Sequence, residues 1–206
     1  MSLPVELSSH NSVAVLAFAP GEGYPQLTLG VLKELGSLLH EVRLSALFEG
    51  VVIAANSRSF ATGASLEEVA SVEGVGARSF AQAGQALFNQ IAAFPLPIAA
   101  AIRGYCLGGG LDLALACRAR VATYDASFGH PGASLGLITG WGGTQRLARL
   151  IGRAAAMQLL LTAERVPASQ AFTLGLVDEL VSPPDLVEAA ARRALPGGTW
   201  KLETGK

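Results

Sequence analysis

The 206-residue chain has little cysteine, no block of like charge and no long apolar run, and each shortage closes off a class of function. Cys106 and Cys117 stand apart from any CxxC or Cys/His spacing, so neither a disulfide framework nor a metal site is expected. Both lie among small apolar residues, where free thiols are commonly buried. Fifteen Lys and Arg stand against sixteen Asp and Glu, for a formal net charge of -1. The basic residues are scattered, which gives no electrostatic footprint for nucleic acid. The longest apolar run, IAAFPLPIAAAI, is broken twice by proline and argues against a membrane span. The N-terminal MSLPVELSS lacks the basic and apolar regions of a secretory signal, so a soluble cytoplasmic protein is the expectation. Neither GxGxxG nor GxxxxGK[ST] occurs, which disfavours dinucleotide and P-loop binding.

Apolar residues make up 50% of the chain, enough to bury the core of one domain. Val13 to Phe18, Val51 to Ala55, Ile98 to Ile102 and Arg120 to Thr123 read as short buried strands. Leu29, Leu32, Leu35, Leu38, Leu39 and Val42 recur at helical spacing, as do Phe80, Ala83, Leu87, Ile91 and Phe94. Further helices are expected from near Leu111 and over 144–151, 154–162 and 168–174. Strands alternating with helices predict an α/β protein with βαβ crossovers.

Three glycine-bearing loops each follow a predicted strand: Phe60 to Leu66, Gly104 to Leu111, and Phe128 to Gly143. Ligands of open α/β sheets collect beyond the carboxyl ends of strands, so these loops are expected to converge. The last loop is dense in glycine, yet 127–147 contains no Asp or Glu and a single histidine, His130. Gly108-Gly109-Gly110 opens a helix, where free N–H groups and the helix dipole favour an anion or oxyanion.

Four ordered segments resemble the crotonase (enoyl-CoA hydratase/isomerase) superfamily: SFATGASLEEV, IAAAIRGYCLGGGLDLALAC, FGHPGASLGLITGWGGTQRL and LTAERVPASQAFTLGLVDELV. The resemblance covers roughly residues 10 to 190. It implies a ClpP-like spiral of ββα units over 1–195, with a reduced C-terminal helical region and a polar tail at 196–206. It also implies a trough for an acyl-CoA thioester, with coenzyme A entering as part of the substrate and no permanently bound cofactor. Family members commonly form trimers or hexamers, so a homo-oligomer is expected.

By motif position, the resemblance implies an oxyanion hole from the N–H groups of Ala64 and Gly109, and Asp112 as acid or base. Thr62, Ser65 and Leu66 are implied to line the CoA adenine end and Leu27 to contact the CoA tail, with Gly108, Pro131, Gly132 and Trp141 also implied to contact the acyl-CoA. The departures are chemical. Asp112 is one methylene shorter than the family's first glutamate, and Gly132 stands in place of the second. Ser65 and Arg118 each replace an aspartate, and Thr139 replaces a common proline. Members usually continue into helices that cover the site, whereas the chain closes on PGGTWKLETGK.

Each departure has a plain reading beside the functional one. Asp112 suits the first turn of any helix, where the dipole would lower its pKa unless burial raised it. His130 is expected to make a loop hydrogen bond, with acid/base duty as the alternative. Trp141 either fills the space water and substrate would occupy or packs the core. Ser127 and Ser134 near His130 lack the context of a nucleophile, and Cys106 reads as a small buried residue. The expected activity is isomerisation or other single-base chemistry on an acyl-CoA rather than efficient hydration, or else acyl-CoA binding without catalysis.

Overall fold

Val13–Phe18 and Gly50–Ala54 pair in parallel, as two short apolar strands joined by a helix should. The computed structural model describes residues 5–19, 23–56 and 58–197, so most of the expected polar tail lies outside the described residues. In chain order the strands are β1 Val5–His10, β2 Val13–Phe18, β3 Gly50–Ala54, β4 Ile98–Ile102, β5 Tyr105–Leu107, β6 Ala119–Thr123, β7 Ser127–Gly129, β8 Arg165–Pro167 and β9 Glu179–Val181. The helices are α1 Leu29–Leu44, α2 Leu66–Ser71, α3 Val75–Ala92, α4 Gly109–Ala116, α5 Gly143–Ile151, α6 Arg153–Leu161, α7 Ala168–Thr173 and α8 Leu186–Arg193. Among the described residues, no helix is long and apolar enough to cross a membrane.

The main sheet runs β1-β2-β3-β4-β6-β9, parallel except for the β1–β2 hairpin. A smaller sheet, β5-β7-β8, stands beside it. Side chains alternate across a strand, so each central strand feeds two cores. Leu16, Ile53, Ala100 and Ile102 face Leu35 and Leu39 of α1, Phe88 of α3 and Leu111 of α4. Val15, Val52, Ala101 and Val121 face Leu186 and Ala190 of α8 on the other side. Burial on both faces explains why these strands read as continuous apolar runs.

The predicted strands and helices are present, with ends shifted by a residue or two except in α3, which begins at Val75, five residues before the first residue of its apolar stripe. The sequence pattern missed β1, β5, β7, β8, β9, α2 and α8, all short or half exposed. β1 is the instructive miss. Its VELSSH has only one fully buried residue, so no apolar run announces it, and pairing with β2 makes it a strand.

Candidate active site

α4 is buried along its whole length, so its first turn delivers backbone N–H groups into the interior. Gly108 caps it with φ +52°, a left-handed conformation that a side chain rarely tolerates. The loop after β3 meets this turn. It is tied on by bridges of Ala61 to Cys106 and of Leu27 to Ala64. Gly63, at φ +109°, brings the loop so close that a Cβ there would lie 3.3 Å from the Gly109 nitrogen. A Cβ on Gly109 would in turn lie 3.4 Å from the Ala64 nitrogen. The N–H groups of Ala64 and Gly109 thus share one small space. Among the described residues, neither donates to a backbone carbonyl outside regular structure, and Gly109 is too early in its helix to have a helical partner.

Asp112 lies one turn further along the same face of α4 and is fully buried. Its Oδ2 accepts a hydrogen bond from Thr139 Oγ1. Its Oδ1 lies 3.8 Å from His130 Nε2 and has no partner in hydrogen-bond geometry. The carboxylate presses on Gly143, where a Cβ would fall 1.9 Å from Oδ1. Burial is the largest influence on Asp112 and lifts its carboxyl from 3.8 to about 6. The Thr139 hydroxyl, the nearby N–H groups of Trp141 and Gly143, and Arg146 pull the other way. Burial outweighs these groups together, and the carboxyl titrates near 6.

His130 is also buried, and neither ring nitrogen has a hydrogen-bond partner. The expected loop hydrogen bond is absent, because the chain turns so that the ring faces Asp112 instead of a loop carbonyl. Burial alone pushes its imidazole down to about 4, so it is neutral at pH 7. Ser134 spends its hydroxyl on the Pro131 carbonyl, and no serine engages His130, which removes a serine–histidine nucleophile. Burial pushes the Cys106 thiol up, well out of the nucleophilic range.

The other expected lining residues are placed unevenly. Ser65 accepts from Glu68 N–H and caps α2, while Thr62 donates to the Pro25 carbonyl. The Leu27 side chain is fully buried, and its N–H donates to Gly63 O, so it anchors the loop. Leu66 is exposed. Pro131 and Gly132 open a 3-10 turn, half-buried. A Cβ on Gly132 would meet only Leu137 at 3.5 Å, so sterics do not demand glycine where the second carboxylate would stand.

Trp141 is buried between Gly109 and Gly84, where an added Cβ would lie 2.4 and 2.3 Å from its ring. Two residues were not singled out from sequence alone. Thr139 reads in sequence only as the replacement of a common proline, and no local signal places its hydroxyl beside Asp112, 27 positions away. Gly84 sits mid-helix in α3, where glycine costs about 1 kcal/mol relative to alanine. Such a glycine announces a close approach.

A six-stranded mixed sheet covered by helices on both faces, with a glycine-capped buried helix beneath it, is a fold of the crotonase type. The enoyl-CoA hydratase/isomerase family model matches residues 8–195, and the chain belongs to that family. Among solved structures it is similar to an enoyl-CoA hydratase from Bacillus anthracis, at 32% identity over 93% of this chain and 75% of that one, with a TM-score of 0.87. It is also similar to an enoyl-CoA hydratase subunit I from Geobacillus kaustophilus, at 31% identity over 93% and 74% of the two chains, TM-score 0.86. An enoyl-CoA hydratase from Thermoplasma volcanium aligns at 29% identity over 91% and 75%, TM-score 0.87.

Proposed function

We propose that the chain binds an acyl-CoA thioester with its carbonyl oxygen between the N–H groups of Ala64 and Gly109, and that Asp112 moves a proton on the acyl group. The observation that carries this reading is the approach of two unpaired N–H groups at the mouth of α4. Two preorganised donors stabilise an enolate oxygen far better than the neutral carbonyl it comes from, each by roughly 3 kcal/mol.

The balanced step is an isomerisation. Asp112 takes a proton from the α carbon of a β,γ-enoyl thioester, and the electron pair enters the enolate held by the two N–H groups. Asp112 then returns the proton at the γ carbon as the double bond moves into conjugation. One carboxyl with a pKa near 6 suffices, being both basic and protonatable near neutrality. Syn hydration needs a second group to hold water, and Gly132 offers none.

A second reading, acyl-CoA binding without turnover, is favoured by the complete burial of Asp112 and its hold by Thr139. Assays of 3-enoyl-CoA isomerisation, crotonyl-CoA hydration and thioester affinity separate the two. Isomerisation is expected to exceed hydration, with Asp112→Asn lowering kcat at least about 100-fold at unchanged affinity. Tight binding with no turnover in either protein would leave only the binding reading.

A further inference from the structure

The indole of Trp141 has a built socket. Its six-membered ring lies on Gly109 and its five-membered ring on Gly84, two glycines from different helices, both without room for a methyl group. Phe88 meets it edge-on at 5.7 Å and 85°, and Phe80 tilts against it at 5.2 Å. Nε1 donates to the Phe80 carbonyl at 3.3 Å, which fixes the ring's orientation. A side chain with its polar atom satisfied and both ends enclosed does not swing aside at low cost, so Trp141 is a wall and not a gate.

The wall stands at a particular place. Gly109 is the residue whose N–H takes the thioester oxygen in the function proposed above, and this inference rests on that reading. An oxygen bonded to that N–H lies about 2.9 Å from its nitrogen. The α carbon follows two covalent bonds further on, and the Trp141 ring lies against the same Gly109 that holds the oxygen. Trp141, with Phe80 and Phe88 packed on it, fills the space between Gly109 of α4 and Gly84 of α3.

We propose that Trp141 is a specificity-determining residue that, as a fixed wall against Gly109, restricts the acyl group to short chains of about two to four carbons.

Calorimetric affinities for saturated acyl-CoAs from acetyl to decanoyl test this without requiring turnover. For the unmodified chain, affinity is expected to level off or fall beyond butyryl. In Trp141→Ala it is expected to keep rising, by up to about fourfold per added CH₂, the transfer value of a methylene. Trp141→Phe, which keeps the aromatic cluster packed, is expected to move the break point outward by one or two carbons. Affinity that climbs through decanoyl alike in all three proteins would overturn the proposal while leaving the acyl-CoA reading intact. Failure of every thioester to bind would remove both.

Discussion

Burial moves Asp112 up to about 6 and His130 down to about 4, so the two residues act on stability in opposite senses over one pH interval. Between pH 3.8 and 6 the folded state holds a proton on Asp112 that the unfolded chain releases, and that contribution is lost as pH rises. Between pH 4 and 6.5 the unfolded chain holds a proton on His130 that the folded state rejects, so stability grows as pH rises. The two nearly cancel in the intact pair. Relative to the parent, Asp112→Asn is expected to gain stability with rising pH over this range, and His130→Asn to lose it, each by on the order of 3 kcal/mol. Urea titrations at pH 4, 5, 6 and 7 give the slopes, and parallel slopes for the two variants would contradict the assignment. For the proposed isomerisation, the same carboxyl is expected to impose an acid limb, with activity falling as pH drops through about 6 in a pH–rate profile.

At the scale of elements, the question is how the last strand is held to the sheet. β9 has only three residues. It is fastened by Arg120 of β6, whose guanidinium is buried and donates to the carbonyls of Leu176 and Cys117 and to Asp178 Oδ2 at 2.9 Å. Asp178 also accepts from the Arg120 N–H at 2.7 Å. Removing one partner strands a buried charge, which costs more than the pair contributes. Asp178→Ala is therefore expected to lose roughly 3 kcal/mol in urea unfolding. The pair lies away from Gly109, so the variant's affinity for acetyl-CoA should be unchanged while folded. A joint loss of affinity and stability would mean that the β6–β9 edge supports the site.

For the whole molecule, the two cores are unequal. The face under α1, α3 and α4 contains the candidate site, and the other is closed by α8 through small residues, Ala189, Ala190 and Ala194 among them. Alanines at that contact let the helix lie close on β3 and β4, so a larger or charged residue has nowhere to go. Ala190→Asp is expected to lower Tm by on the order of 10 °C, from a buried unpaired charge of about 3 kcal/mol. A thermal melt checks it, and a shift within about 1 °C would place α8 outside the cooperative unit.

The central strands and the long helices were legible because two-sided burial and a 3.6-residue stripe leave marks in local composition. β1 and the three-residue strands were not, since partners distant in sequence define them. Within the candidate site, four ordered motifs made the family legible, and it was the resemblance that pointed to Ala64, Gly109, Asp112 and the missing carboxylate at Gly132. Local sequence could not decide the protonation of Asp112, because only the packed fold reveals that the carboxyl is buried deeply enough to be raised despite the hydrogen bonds and Arg146 around it. Nor could it show that His130 faces Asp112, that Thr139 donates to that carboxylate, or that Gly84 and Gly109 enclose Trp141. Those contacts span up to 57 positions between Gly84 and Trp141, and only the tertiary structure closes them.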